Sequence, residues 1–202
     1  PDELFSPLVL DGNTVTASRD ALDRIGLHLL PKLSYGVLNG GSATSYADRT
    51  KNESFDSEIF SLYRDFFDSI APGLRGIPKG ITSAFYEPDG RAGPSFLELK
   101  MRSLLLATKR RNRELGESGE GLFPMFQMTS VHNNEEIRDA YSAYRESEYI
   151  KPLIEETGID ITDVETGVQP MIGALSHSEE GEPRSLFSRA YGEEGRLLPL
   201  PG

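Results

Sequence analysis

Amphipathic helical segments alternate with short apolar stretches along this chain, and this alternation constrains its fold more than any other feature. Apolar residues recur at helical spacing in four segments: residues 17–30, 54–70, 95–115 and 133–147. Three stretches have the composition of strands: residues 35–38, 122–130 and 164–175, the last interrupted by Pro170. Helices that separate strands favour parallel pairing, because a parallel pair needs a long crossover. The sequence therefore predicts an α/β fold with a mixed, mainly parallel sheet flanked by helices.

Local signals at the helix ends support these boundaries. Ser95 and Glu98 form a capping box at the start of the third helix. Asn133 is predicted to cap the fourth helix, with Glu136 reaching back to it. A further helical stretch over residues 149–158 is expected to end at Gly158, because glycine adopts the left-handed conformation common at helix C-termini.

The composition excludes several classes of function. The 202 residues include no cysteine, which rules out disulfides, thiolate catalysis and cysteine-ligated zinc. The net charge of −11 disfavours nucleic acids and anionic membranes as partners. No apolar run reaches the ~20 residues that a membrane span needs, and the first residues lack the pattern of a signal peptide. We therefore expect a cytoplasmic protein that binds neither nucleic acids nor membranes.

A glycine-containing loop follows the first predicted strand. Gly40 and Gly41 come directly after Asn39, and small hydroxyl residues follow them as far as Thr44. Glycine lets the backbone approach a ligand, and successive backbone N–H groups can bind a phosphate. An ordinary tight turn would have the same composition. In α/β folds ligands bind at the carboxyl ends of strands, where this loop is predicted to lie.

Two other loops carry residue types suited to an anion. Lys79 stands between Pro78 and Gly80, so the chain is stiff before it and free after it. A lysine fixed in this way can act as a point charge for a phosphate, although most lysines are simply solvated. Thr129 and Ser130 end a predicted strand just before a helix, where capping alone would also favour them.

In chain order, these segments resemble the UDP-sugar pyrophosphorylases, which are UTP–sugar-1-phosphate uridylyltransferases. The resemblance covers residues 33–202 and rests on short collinear stretches: LNGGSATS (38–45), PKG (78–80), SFLELKMRSLLL (95–106), MTS (128–130), VQPMIGAL (168–175) and LPLPG (198–202). Ala43 and Ser45 stand at the positions of a glycine and an arginine in the family's glycine-rich signature. The cations that could replace this arginine are Arg49, Lys51 and Arg75.

The resemblance implies a Rossmann-like nucleotidyltransferase fold of the glycosyltransferase-A type. Residues 1–32 would form an N-terminal helical segment, and residues 33–202 the UTP-binding part of the catalytic domain, with a helical insertion at 48–77. Because members of the family are longer, the sheet formed by these residues is expected to be incomplete. An open sheet edge would favour self-association. We also expect weak or no turnover by this chain alone.

The implied reaction transfers a uridylyl group from UTP to a sugar 1-phosphate and releases pyrophosphate. The resemblance makes Lys79 the catalytic cation and places Mg²⁺ between phosphate oxygens, with no protein ligand to the metal in this stretch. The implied nucleotide-binding residues are Gly40, Gly41, Ser42, Thr44, Met128, Thr129, Gln169 and Gly202. Gln169 would bond the uracil edge, and glucose 1-phosphate is slightly preferred as the acceptor.

Three alternatives remain open from the sequence. A UDP-N-acetylglucosamine pyrophosphorylase would use the same site with a different sugar phosphate. A non-catalytic nucleotide-binding module would lack the signature arginine, as this chain does at Ser45. A dinucleotide-dependent oxidoreductase would need an acidic residue at the end of the second strand, but the acidic candidate Asp65 lies within a helical pattern.

Overall fold

A computed structural model describes residues 2–39, 41, 48–55, 57–116, 125–172 and 200–201. The helices are α1 (Asp2–Phe5), α2 (Arg19–Leu29), α3 (Arg49–Phe55), α4 (Ser57–Leu74), α5 (Phe96–Leu115), α6 (Asn134–Tyr144) and α7 (Lys151–Thr157). The strands are β1 (Val9–Asp11), β2 (Thr14–Thr16), β3 (Gly36–Leu38), β4 (Phe126–Ser130), β5 (Glu165–Gln169), β6 (Met171–Ile172) and β7 (Leu200–Pro201). Short 3-10 helices cover Leu30–Lys32 and Lys79–Ile81. None of the described helices combines the length and apolarity that a membrane crossing requires.

The predicted helices are confirmed as α2, α5, α6 and α7, with ends shifted by a few residues. The apolar positions of α5 form its buried face, as the helical spacing predicts: Leu97, Met101, Leu104, Leu105 and Thr108. At the start of α2, the Ser18 hydroxyl accepts a bond from Ala21 N (3.1 Å). Gly158 ends α7 with a φ of 72°, and its N–H donates to Ile154 O (2.8 Å). The glycine signal at this helix end is therefore confirmed.

The predicted 54–70 helix differs in its bounds. Helical structure begins earlier, at Arg49, because the Asp48 carboxylate accepts from Lys51 N (3.0 Å) and caps α3. It also ends later, at Leu74, so that Pro72 lies inside the last turn of α4. The capping role of Asp48 was not predicted from the sequence.

The first 32 residues contain a β-hairpin that was not predicted from the sequence. β1 and β2 pair antiparallel through the two-residue turn Gly12-Asn13. Gly12 has a φ of 59°, which a first central residue of a type II′ turn requires and which glycine adopts freely. The helical prediction for this segment holds only over α1, α2 and the short 3-10 helix.

Strands β3, β4 and β5 form one sheet in that order. Phe126 N donates to Tyr35 O (3.0 Å), and Asn39 N donates to Met128 O (2.7 Å). The residue numbers of the bonded partners increase in the same direction along both strands, so β3 and β4 are parallel. The same pattern joins β4 to β5, where the bonds are Glu165 N to Met125 O (3.1 Å) and Val131 N to Gln169 O (3.2 Å).

The chain is therefore a mixed α/β protein with a three-stranded parallel sheet flanked by helices, as the sequence predicts at this level. Pro170 interrupts the predicted last strand, which is divided into β5 and β6. β6 pairs antiparallel with β7, within the segment predicted to be extended.

The contacts divide the chain into two compact units. The first comprises Pro1–Gly36, Leu97–Phe126 and Ser142–Glu165, and its core is built from apolar residues of α2, α5 and α7. The second comprises Val37–Phe96, Gln127–Tyr141 and Thr166–Gly202. Its core combines aromatic residues of α4 with an unusual number of buried polar side chains: Asn39, Thr82, Ser95, Gln127, Thr129, Ser130 and Asn133.

Candidate functional site

The carboxyl ends of the three parallel strands form the candidate site, within the second unit. Asn39 follows β3, Ser130 ends β4 and Gln169 ends β5. Two backbone bonds hold these ends side by side: Asn39 N to Met128 O, and Val131 N to Gln169 O. The sheet thus brings together three of the predicted nucleotide-binding residues, namely Met128, Thr129 and Gln169.

A chain of side-chain amides links the three strands just below these ends. Asn39 Nδ2 donates to Gln127 Oε1, and Gln127 Nε2 donates to Thr166 Oγ1, both at 2.9 Å. Gln127 lies opposite Thr166, and Asn39 lies two positions beyond Gln127 on the same face of the sheet, so the three side chains can meet. Asn39 and Gln127 are each only 5% exposed. Buried polar groups of this kind are costly unless they are bonded, and these bonds fix the Asn39 loop relative to β4.

Asn133 fastens the start of α6 to the same edge. Its backbone carbonyl accepts the helical bond from Ile137 N (3.0 Å), so Asn133 stands at the predicted cap position, but the predicted capping box with Glu136 is wrong because the Asn133 N–H donates to Ser130 O (3.1 Å). Its side chain turns back to the strand ends: Oδ1 accepts from Ser130 N (2.8 Å) and Ser130 Oγ (3.1 Å), and Nδ2 donates to Asn39 O (2.8 Å). Asn133 therefore positions both the β3 loop and the β4 end.

Thr129 links β4 to α6 instead of facing solvent. It is 0% exposed, and its Oγ1 donates to Asn134 Oδ1 (2.8 Å). Met128 and Gln169 are half-buried, and the Gln169 carbonyl is used in the bond from Val131. A ligand at this edge could therefore contact the half-buried Met128 and Gln169, but not the side chain of Thr129, which is fully buried.

Lys79 lies in a fixed turn of the same unit. Pro78 is fully buried, and the carbonyl of Lys79 accepts from both Thr82 N (3.2 Å) and Thr82 Oγ1 (2.8 Å). These bonds fix the backbone at Lys79, and Gly80, which was predicted to free the chain after it, lies within the short 3-10 helix. Its Nζ is 5.6 Å from the centroid of the Phe96 ring, within the range of a cation–π contact.

The remaining predicted residues, Gly40, Ser42, Thr44 and Gly202, lie outside the described part of the chain. Gly41 is exposed, and a Cβ built on it would meet no heavy atom within 4 Å.

The edge offers neutral hydrogen-bonding groups. Among the described residues, no cluster of three or more His, Asp or Glu side chains could hold a metal ion. Mg²⁺ bound to a triphosphate takes most of its oxygen ligands from phosphates and water, so it needs few or no carboxylates from the protein. The neutral edge fits a cation that arrives with its nucleotide.

Asn39 begins the glycine-containing loop that the sequence singles out, but no role was predicted for its side chain; Gln127, Asn134 and Thr166 were not predicted as site residues. A polar residue inside an apolar strand, as at Gln127, is a signal that could have identified one of them, because a buried amide requires partners. Asn39 stands where a strand meets two glycines, but nothing local indicates that Gln127, 88 positions away, is its partner.

No protein-family model matches this chain, and no curated protein matches it significantly. A functional assignment therefore depends on the geometry of the strand ends together with the order of the sequence segments.

Proposed function

We propose that this chain binds UTP at the carboxyl edge of the β3–β4–β5 sheet and takes part in uridylyl transfer to a sugar 1-phosphate. The acceptor is proposed to be glucose 1-phosphate, and the products are UDP-glucose and pyrophosphate. One observation supports the proposal above all. Asn39, Ser130 and Gln169 belong to three separate segments of the resemblance, and they lie at the carboxyl ends of adjacent parallel strands.

The chemistry requires positioning and charge neutralisation. An oxygen of the sugar phosphate attacks the α-phosphorus of UTP in line with the leaving pyrophosphate, so no protein nucleophile is needed. Gln169 offers an amide to the uracil edge, and the backbone at Gly41 is open to the phosphates. Lys79 supplies a positive charge. Mg²⁺ carried by the triphosphate would neutralise further phosphate charge.

A non-catalytic nucleotide-binding module is the second candidate. One observation favours it: the buried side chains at the strand ends are uncharged and bonded to one another. They can hold a ligand in place, but they supply no acid or base.

Calorimetric titration with UTP, ATP and NAD, each with and without Mg²⁺, tests the binding. We expect selective binding of UTP, weakened about tenfold in Lys79→Ala because a charge-assisted bond to phosphate is lost. Lys100→Ala is the matched control, because Lys100 Nζ also lies 5.6 Å from an aromatic centroid, that of Tyr35. Equal binding of the three nucleotides, or equal loss in the two variants, would contradict the proposal.

Pyrophosphate release separates the two candidates. The wild-type chain is given UTP with glucose 1-phosphate or with N-acetylglucosamine 1-phosphate. Slow release that depends on the sugar phosphate supports uridylyl transfer and identifies the acceptor. UTP binding without release agrees with both candidates, because weak or no turnover is also expected of the transferase chain alone.

A further inference from the structure

A cleft in the second unit lies between α3 and the C-terminal half of α4. It has a volume of about 330 Å³ and is lined by Arg49, Phe67, Asp68, Ala71, Pro72 and Arg75. Pockets that bind small molecules start at about this size. The cleft contains none of the strand-end residues, so a ligand could occupy it whether or not UTP binds at the strand ends.

Two arginines, Arg49 and Arg75, line the cleft together with the carboxylate of Asp68. Arg49, on the wall of the cleft, forms two ion pairs: its Nε lies 3.0 Å from a carboxylate oxygen of Glu53, and a terminal nitrogen lies 3.4 Å from a carboxylate oxygen of Asp68. Arg75 is different: within the described residues it makes no hydrogen bond or ion pair. Among the described residues, Arg75 therefore lines the cleft without an acidic partner.

We propose that this cleft binds a small phosphate monoester whose organic part is apolar. The guanidinium of Arg75 offers two parallel N–H donors, a geometry that matches two phosphate oxygens. The third oxygen of a monoester remains for the N–H groups of Arg49 that its two carboxylate partners leave unused. Phe67, Ala71 and Pro72 supply the apolar wall against which the organic part packs.

Removing the charge of Asp68 should change the affinity for phosphate in the opposite direction from removing the charge of Arg75. The Asp68 carboxylate holds Arg49 and repels an anion that enters the cleft. Removing its charge should therefore strengthen binding of the phosphate, whereas removing Arg75 should weaken it. Opposite effects from two residues of one wall identify the cleft as the site.

NMR titration of the amide resonances with phenyl phosphate tests this, with inorganic phosphate as the second probe. We expect saturable shifts around Ala71 and Arg75, and tighter binding of phenyl phosphate than of inorganic phosphate because the ring packs on the apolar wall. Arg75→Ala should weaken binding about tenfold, and Asp68→Asn should strengthen it about threefold, from loss or relief of one charged contact. Arg75→Lys should fall between wild type and Arg75→Ala, because lysine keeps the charge but loses the paired donors.

Arg24→Ala is the control for net charge, because Arg24 is an exposed arginine on α2 in the other unit. Far-UV circular dichroism confirms that each variant is folded. The proposal is overturned if the wild-type chain gives no saturable shifts, or if Arg75→Ala binds no more weakly than Arg24→Ala. Loss of UTP binding at the strand ends would leave these outcomes unchanged.

Discussion

At the scale of single residues, the most informative feature is the set of buried amides beneath the strand ends. Gln127 is bonded on both sides, to Asn39 and to Thr166, so its side chain joins all three strands of the sheet. A network of this kind is stabilising only while every member keeps a partner. Its members should therefore be sensitive even to substitutions that preserve size.

Gln127→Leu should lower the free energy of unfolding by about 2 kcal/mol, because it leaves the buried Asn39 amide without its partner. Thr166→Val is the graded control. Thr166 is exposed, so Gln127 can exchange the lost bond for water and the loss should be smaller. Urea unfolding of the three proteins measures both effects. Equal stability of Gln127→Leu and wild type would show that the amide chain does not hold the strands together.

The pKa of Glu146 provides a second test at this scale. A hydrogen bond from Lys151 Nζ to Glu146 Oε2 (2.6 Å), assisted by the charge of Lys151, holds this pKa below its ordinary value. The pair stabilises the fold at pH values above the unfolded pKa of the carboxyl, and the contribution is lost as pH falls through the folded pKa. We expect Lys151→Met to raise the pKa of Glu146 towards its ordinary value in a carbon-detected NMR titration. Lys100→Met should leave the pKa of Glu146 unchanged. An unchanged pKa of Glu146 in Lys151→Met would contradict the ion pair.

At the scale of elements, the predicted features are those that depend on near neighbours. The spacing of Leu97, Met101 and Leu104 gave the buried face of α5, and Gly158 marked the end of α7. The hairpin of β1 and β2 was missed because its strands are exposed and only three residues each, although Gly12-Asn13 and the alternation of Thr14-Val15-Thr16 are sequence signals of a hairpin. The start of α3 was missed because the apolar spacing that predicts the helix begins at Phe55, whereas the Asp48 side chain caps it earlier in the chain.

Two glycines in helical contexts should respond to alanine in opposite directions. Gly158→Ala should destabilise the protein by about 1 kcal/mol, because a Cβ at a φ of 72° is strained in the left-handed region. Gly26→Ala, inside α2, should stabilise it by up to about 1 kcal/mol from helix propensity. A Cβ on Gly26 meets no heavy atom within 4 Å, so no clash offsets this gain. Thermal unfolding of the two variants gives both signs, and the same sign for both would contradict the backbone assignments.

At the scale of the whole molecule, the class of fold could be predicted from the sequence, but the side-chain hydrogen bonds within its core could not. Alternating helices and strands predicted a parallel sheet, and β3, β4 and β5 form one. Which side chains would meet across that sheet could not be predicted, because Asn39 and Asn133 are 94 positions apart and are joined only by the folded backbone. Nor did local sequence indicate that Arg49 and Arg75 line one cleft.

We propose that the nucleotide binds at the carboxyl ends of the parallel strands. Amide NMR of the full chain with increasing UTP and Mg²⁺ locates the residues that it contacts. We predict saturable shifts at Asn39, Gly41, Val131 and Gln169, with the opposite ends of the same strands, at Tyr35, Met125 and Val164, unaffected. Shifts confined to the opposite ends, or none at saturating UTP, would contradict the claim.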